Sequence, residues 1–347
     1  MPLAAVTVGI PTYNRAASLR ETIASVLTQS YPDFRVVVSD NASEDETPDV
    51  VASFADPRID YVRSDRNIGM IANFNRVIHL ADTEFLVLLP DDDLLYPDYL
   101  RSVIEVFDHY PSVGVVHTAY DVIDGDLTVL SRGTNLVDSA HALTVESTQA
   151  FLERALCSNP IVCFPSAIYR TAAIKDVEGL REAEEPFSDV PMWMRIALRW
   201  EFAFLPTSLV AFRVHEDAAT AHLGTFTGTG YDLPVHRILR DRRRGFLDEA
   251  ERQLPHASLM RYRSLVERTF RADEILRLAN GAGSDAPWMS TTVSLLRLAR
   301  EEPRVLAAPR MWRLVAAHVG GRQARRAVSR IDLRRPPSDG RRDSSHD

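Results

Sequence analysis

Between Phe85 and Pro97 the chain reads F-L-V-L-L-P-D-D-D-L-L-Y-P, and no other stretch constrains the fold as tightly. Five successive apolar residues, Phe85 to Leu89, read as a strand buried on both faces, as in a parallel sheet covered by helices. The strand stops at Pro90 and delivers three adjacent carboxylates. Such groups repel one another, so a site that keeps them ionised supplies a compensating cation. In an extended segment Asp91 and Asp93 point one way and Asp92 the other. Two oxygen ligands on one side, at the carboxyl end of a buried strand, suit Mg²⁺ or Mn²⁺ held jointly with a substrate phosphate. Taken alone, an acidic triplet is more often a solvated turn, here one leading into a helix opened by Pro97. The residues upstream reverse that balance.

Short apolar strands at Val6–Ile10, Phe34–Ser39 and Ile59–Arg63 precede the Phe85 strand, and another follows at Val113–His117. Helical stretches at Ala16–Gln29, Glu46–Phe54, after Gly69 and at Pro97–Tyr110 separate them; Leu19, Ile23, Val26 and Leu27 give the first an apolar face. Strand and helix alternating with short joints predict a doubly wound, Rossmann-like, mostly parallel α/β sheet with flanking helices. In such sheets ligands bind outside the carboxyl ends of the strands. The loops expected to meet there are Pro11–Arg15, Asp40–Ser43 and Asp91–Asp93.

The chain of 347 residues is long enough for one large or two ordinary domains. Its charge is divided: residues 1–234 hold about 16 basic and 34 acidic side chains, residues 235–347 about 24 and 14. An acidic front half is the wrong surface for nucleic acid. No G-x-G-x-x-G follows the first strand and no G-x-x-x-x-G-K-[ST] occurs, which weighs against a dinucleotide oxidoreductase and a P-loop NTPase. Cys157 and Cys163 are too few for a disulfide framework and fit idle thiols of a reducing, cytoplasmic compartment. No signal peptide is read at the start, and no apolar run reaches the length of a membrane span.

Four segments, V-T-V-G-I-P-T-Y-N-R, V-V-V-S-D-N-A-S-E-D-E-T, R-N-I-G-M-I-A-N-F-N and L-P-D-D-D, come in this order. They resemble the family-2 glycosyltransferases of the glycosyltransferase A fold, over about residues 5–220. Each is weak alone; four in order are specific. The resemblance implies that Pro11, Thr12 and Tyr13, with Arg15, line the base and ribose of a nucleotide-sugar. It implies that Asp40, beside Asn41, accepts a hydrogen bond from a ring N–H of uracil or thymine. Asn67, Gly69 and Asn73 are then expected over the ribose and diphosphate-sugar, with Asp92 at ribose or sugar hydroxyls. Asp91 and Asp93 are expected to share the metal with the diphosphate. Arg213 is expected near that diphosphate, and His215 at the metal or its edge. Asp189, which opens a helix in S-D-V-P-M-W, is expected to face the acceptor hydroxyl as general base. From the residues alone, Asp40 and Asn41 read equally as an Asx turn, Asn73 as an exposed helix residue, and Asp189 as a helix cap.

The implied activity is inverting, metal-dependent and non-processive transfer from a UDP- or dTDP-type sugar. The acceptor would be a hydroxyl on a glycan, a lipid-linked glycan or a small molecule. Two rivals stand beside it: a binding module without turnover, and a sugar nucleotidyltransferase, whose Gly-rich start and Lys are absent. Further along, the sequence predicts a hairpin over Tyr120–Leu130 turning at Asp124-Gly125, a helix over Thr144–Leu156, and a last apolar strand over Phe202–Val214. Residues 216–230 read as a lid. The expected division is a transferase domain over 1–230, a helical extension over 231–333 with helices near 234–253 and 257–281, and a disordered tail over 334–347. In that extension Met311–Val328 is basic and amphipathic, which suits a helix packed on the body or on a dimer mate, or one laid peripherally on an anionic membrane.

Overall fold

The computed structural model describes residues 5–134, 137, 142–157, 162–215 and 233–281. The expectations for 216–230, Met311–Val328 and 334–347 fall outside these residues. The described residues divide into two compact units: those up to 215 together with 238–263, and a second unit of 233–237 and 264–281.

The first unit is built on strands β1 (Val6–Thr12), β2 (Phe34–Asp40), β3 (Ile59–Arg63), β4 (Phe85–Leu88), β5 (Leu94–Leu95), β6 (Val113–Ile123), β7 (Val129–Thr134), β8 (Thr144–Glu146), β9 (Ala167–Arg170) and β10 (Glu201–Arg213). They form a ten-stranded sheet in the order β3-β2-β1-β4-β9-β6-β10-β5, with β7 added to β6 and β8 to β10. The expected α/β sheet is therefore present. β1, β2, β3, β4, β6 and β10 point one way, so the sheet is mostly parallel. One departure matters: β6 does not lie beside β4, because β9 is inserted antiparallel between them. Strand–helix alternation cannot reveal an insertion arriving from far downstream.

Helices α1 (Ala16–Leu27), α2 (Thr47–Ser53), α3 (Met70–Leu80) and α4 (Tyr99–His109) are the ones the periodicity predicted, with ends moved by a few residues. On α1 the buried residues are Ala16, Leu19, Thr22, Ile23 and Val26, the recurrence of a single helical face. Of these, Leu19, Ile23 and Val26 pack with Val6, Val8, Ile10, Val36 and Val87 into one core. α3 lies so close over β1 that a Cβ on Gly9 would sit 1.9 Å from Val77 Cγ1. The buried, β-branched Val77 side chain is stiff and has little room to turn away, so Gly9→Ala is expected to cost about 2–4 kcal/mol, read as a lower midpoint in urea unfolding.

Three sequence expectations change. The hairpin exists, but its first strand is the whole of β6, and in its turn the amides of Asp126 and Thr128 are held by Asp124 Oδ1. The helix expected over Thr144–Leu156 is α5 (Thr148–Cys157), because Thr144–Glu146 is drawn out to pair with Phe204–Phe202. β-Branched Thr144 and Val145 favour that pairing. The last strand begins at Glu201, and within β10 the register against β6 slips at Leu205–Val210. Short α6 (Thr171–Lys175) and α7 (Asp189–Ile196) complete the unit up to β10. α8 (Leu233–Glu249) and α9 (His256–Gly281) follow, broken at Pro255 as expected. The part of α8 in the first unit is well anchored: Arg243 is fully buried and donates from Nε to Ala155 O at 2.7 Å. Both cysteines are free thiols. Among the described residues no helix is long and apolar enough to cross a membrane.

Candidate functional site

Strand register brings the loops of interest together. β1 and β2 end level, Thr12 opposite Asp40, and Asp40 is in turn opposite Arg63 of β3. The acidic triplet bridges β4 and β5, and β5 pairs antiparallel with Val210–Ala211 of β10. The C-terminal end of β10 thus lies against the acids, although the two are far apart in the chain.

The triplet is not extended. Asp91 and Asp92 form a turn closed by Asp93 N–H donating to Pro90 O at 3.3 Å, so the alternation expected of a strand does not apply. Asp91 and Asp92 instead face a common group, the Arg15 guanidinium. Its Nε is 3.9 Å from Asp91 Oδ1 and its Nη1 is 3.4 Å from Asp92 Oδ2. His215 Nε2 lies 2.8 Å from Asp92 Oδ2 and 3.2 Å from Arg15 Nη1. As Nε2–H the ring donates to Asp92, the nearer partner; as a bare nitrogen it accepts from Arg15, and the tautomer decides between the two. Asp93 is buried beneath, its Oδ1 accepting from Arg213 N–H at 2.8 Å. The expected metal set of Asp91, Asp93 and His215 therefore does not converge. Among the described residues no three His, Cys, Asp or Glu side chains stand ready around one point.

Electrostatics follow from burial. Burial pushes the Asp91 carboxyl up to about 7, with neighbouring Asp92 adding to the rise; Thr12, Arg15 and the Tyr13 amide pull the other way. Thr12 Oγ1 is itself buried without a hydrogen bond of good geometry. Asp93 is raised well above the usual carboxylate range, first by burial and then by Asp92. Burial thus makes the ionised forms of Asp91 and Asp93 costly. The cluster's oxygen-rich donors, with one imidazole at the rim, fit a hard divalent cation, and a guanidinium already stands among them.

Arg213, expected near a diphosphate, is committed elsewhere. It is 6% exposed, and its Nε donates to Asp92 O at 2.8 Å while Nη2 meets Glu21 Oε2 at 2.5 Å. It clamps the acidic loop to α1. Asp40 is fully buried, and its oxygens accept from Ser43 N–H (2.8 Å) and Tyr61 O–H (2.5 Å), with Arg63 Nε at 3.2 Å. The Asx-turn reading of Asp40 is what the structure shows; a base could reach it only if Tyr61 gave way. Asn73 is neither exposed nor open to a ligand. It is buried on α3, accepting from Ser39 O–H at 2.7 Å and donating to Ser39 O at 2.9 Å, which ties α3 to β2. Asn41 is also buried, binding Asn67 Oδ1 and accepting from Ile68 N–H. This holds the exposed Asn67–Gly69 loop, where Gly69 adopts φ 92°. Pro11 is buried, whereas Tyr13 presents its ring at 42% exposure, and the loop carries its own exposed apolar residues, Ile68 and Met70.

Asp189 opens α7 and its Oδ1 accepts from Val190 N–H at 2.9 Å. It is half-buried, and burial pushes its carboxyl up to about 6 against the pull of nearby amides and Arg243. The buried Cys163 thiol is raised by burial first, then by Asp93 and also by Asp189.

Several participants escaped the sequence reading. Glu21 meets Arg213 across 192 positions, for which no local signal exists. Tyr61 and Arg63 were read only as strand residues. Asp45 was legible: an acid two residues before a helix is a cap signature. It caps twice, accepting from Thr47 N–H at 3.1 Å and from Ala16 N–H at 2.9 Å, the start of α1.

Comparison with known proteins agrees with this frame. The family model described as "Glycosyl transferase family 2" matches residues 7–177. An uncharacterized glycosyltransferase, alr2836 of Nostoc sp., is 33% identical over 234 residues, 65% of this chain and 68% of its own. Staphylococcus aureus TarS (residues 1–349), solved with UDP-GlcNAc, superposes with TM-score 0.58 at 18% identity, covering 92% of this chain and 81% of that one. The mannosyltransferase PcManGT of Pyrobaculum calidifontis, solved with GDP-Man and Mn²⁺, gives TM-score 0.53 at 20% identity over 91% of this chain and 86% of its own. At such identities the two structures speak for the fold, while the family match and the Nostoc relative speak for descent: the chain belongs to glycosyl transferase family 2.

Proposed function

We propose that the protein is an inverting, metal-dependent, non-processive glycosyltransferase that moves a sugar from a nucleoside-diphosphate sugar, of UDP or dTDP type, to an acceptor hydroxyl. The observation that carries this reading is a buried acidic turn, Asp91–Asp93, at the carboxyl end of β4 in a family-2 sheet, in a chain that also holds a desolvated carboxylate, Asp189, at the start of α7. The named structural neighbours bind UDP-GlcNAc or GDP-Man, one of them with Mn²⁺, which supports a donor of this class.

In this reading the Tyr13 ring and the Asn67–Gly69 loop flank the nucleoside, with Pro11 and Thr12 as floor. Asp91 and Asp93, with His215 at the rim, would hold Mn²⁺ or Mg²⁺ with the diphosphate, and would have to turn toward a common point to do so. When bound, the cation neutralises charge gathering on the leaving diphosphate. Arg213 keeps the acids in place through Asp92 O and Glu21. Asp189 takes the proton from the acceptor hydroxyl as its oxygen attacks the anomeric carbon from the far side. The new carbon–oxygen bond forms as the bond to the β-phosphate oxygen breaks, its electron pair leaving with the nucleotide. One displacement inverts the anomeric centre, and no second carboxylate is needed as nucleophile.

Residues 1–230 would carry this chemistry, with 231–333 as a helical extension. The acceptor is placed among bacterial polysaccharide or glycoconjugate intermediates, and the enzyme on the cytoplasmic side, with 311–328 available for a membrane surface or a second copy. A melting-temperature screen of UDP, dTDP and GDP and their sugars, with and without Mn²⁺, tests the reading. Stabilisation by one nucleotide family, dependent on the metal, is expected, followed by slow donor hydrolysis. A metal-dependent shift without hydrolysis or transfer would favour a binding module instead. No shift with any nucleotide would reject the donor assignment.

A further inference from the structure

On the edge of the sheet away from the acidic turn, the first unit holds a cleft of about 160 Å³. Arg170 of β9 pairs with Phe85, where β4 begins, and Glu201 of β10 pairs with Val113, where β6 begins. The turn leaving α6 and the residues that follow α7 therefore gather at the amino-terminal edge, and the last turn of α8 completes the cleft with them. Between that edge and the acidic turn β10 runs its 13 residues, about 40 Å at 3.2–3.4 Å each. The cleft is remote from the acids.

Its polar groups are set on firm backbone. Glu178 takes φ 60° and Gly179 φ 67°, a conformation few glutamates adopt. The turn is held by Glu178 N–H donating to Lys175 O at 3.0 Å, Gly179 N–H to Ile174 O at 3.1 Å and Leu180 N–H to Asn75 Oδ1 at 3.0 Å. Arg195, 6% exposed, supports it: Nη2 donates to Gly179 O at 3.1 Å and Nη1 to Glu184 Oε1 at 2.6 Å. Those bonds use two of the five N–H groups of the guanidinium, and the buried Nε has no acceptor. Unmet donors on a buried cation are costly, and the cleft it lines is where further acceptors can reach it.

The lining also selects a class of ligand. Arg181, Arg195 and Arg199 are balanced by Asp176, Glu178 and Glu249. Arg181 grips Glu249 at 2.7 and 3.0 Å, and Arg199 stands 4.0 Å from Asp176. An anion entering here meets the carboxylates, and a cation meets the guanidinium groups. A hydroxyl both donates and accepts, so neighbouring hydroxyls match donor and acceptor side chains set side by side. Among the described residues, the exposed Glu178 carboxylate and Gln253 amide have no hydrogen-bond partner. Leu198, Phe246 and Ala250 add apolar surface for C–H groups. The volume is well under the roughly 300–1,000 Å³ of pockets for drug-sized ligands, and suits one sugar ring.

We infer that this cleft is a second carbohydrate site, which takes one neutral sugar residue, free or within a glycan chain, through its hydroxyls. The inference goes beyond the transfer reading and is tested without nucleotide, so either can fail alone.

Saturation-transfer difference NMR on the full chain tests it. Glucose, galactose, mannose and N-acetylglucosamine are the free sugars, and cellotetraose, mannotetraose and chitotetraose the chains. Inorganic phosphate, followed by phosphorus NMR, is the charged control. Glu178→Gly removes the carboxylate and suits φ 60°, and Gln253→Ala alters an exposed side chain, so the double variant should melt close to the parent. Arg199→Ala, also exposed, is measured alongside. At least one sugar should bind the parent, and E178G/Q253A should bind it about 10-fold more weakly, the order of two lost hydrogen bonds. R199A should weaken the same sugar. A tetrasaccharide that binds more tightly than its monomer identifies a chain as the ligand, and equal affinities identify a free sugar. Sugar binding unchanged in both variants places the sugar elsewhere and overturns the inference. Phosphate bound by the parent, lost in R199A and accompanied by no sugar makes this an anion site and overturns it too. Silence from every sugar rejects it.

Discussion

Replacing Asp189 with Asn is expected to cut sugar transfer severely and, at neutral pH, to make the protein more stable. The two effects have one cause. Asp189 is held in a desolvated position that lifts its carboxyl to about 6, from an ordinary value of 3.8. A group raised in this way binds protons more tightly folded than unfolded. Its contribution to stability is intact below about pH 4, declines as pH rises toward 6, and stays lost above it. A neutral amide at this position removes that cost while its carbonyl still accepts from Val190 N–H. A gain of about 2–3 kcal/mol at pH 8 is expected, read as a melting point several degrees higher. Donor binding should survive. Turnover should fall by about 10²–10⁴, the usual worth of a positioned general base. For the parent enzyme, kcat/KM should climb through about pH 6 to a plateau, because only the carboxylate form accepts the proton. An Asp189→Asn variant with near-parental turnover, or a pH profile without that rise, would remove Asp189 from the mechanism.

Asp91→Asn carries the second large effect. Burial beside Asp92 holds Asp91 near 7, so its ionised form is costly without a cation, as the same linkage shows. In EDTA at pH 8 the Asp91→Asn variant should melt no lower than the parent and, by this sign, higher. With Mn²⁺ and nucleotide the order reverses. The parent gains stability by mass action on ligand binding and the variant does not. Transfer should drop about 10²–10³, in line with losing a major electrostatic contact to the leaving group. Calorimetric scans of both proteins, with and without Mn²⁺ and nucleotide, read the crossover directly. Parallel shifts in the two proteins would mean that Asp91 does not engage the metal–nucleotide complex. Raising pH from 5 to 8 without metal should lower the parent's melting point, since Asp91, Asp93 and Asp189 are all shifted upward.

The fold was legible where the information is local. Apolar runs named β1, β2 and β4, helical spacing of Leu19, Ile23 and Val26 named α1, and S-D-V-P placed the start of α7 at Asp189. The site was legible in its inventory and far less in its assignments. Asn73 and Asp40 were expected to meet a ligand, yet both spend their polar atoms on Ser39, Ser43 and Tyr61. A side chain's residue type says which bonds it can make, and only its neighbours say which ones it has already made.

Sequence alone determined that acids would end the fourth strand and that an acid would open the helix at 189, because both follow from chain order and local propensity. Tertiary structure decided the rest: that Asp92 and not Asp93 meets His215, that Arg213 belongs to Glu21 and the acidic loop, and that Arg15 stands among the carboxylates. These pairings join residues 77 to 200 positions apart. They depend on β10 returning alongside β5 and on a turn at 91–92 that re-aims each carboxylate, and neither is encoded in any short window of the chain.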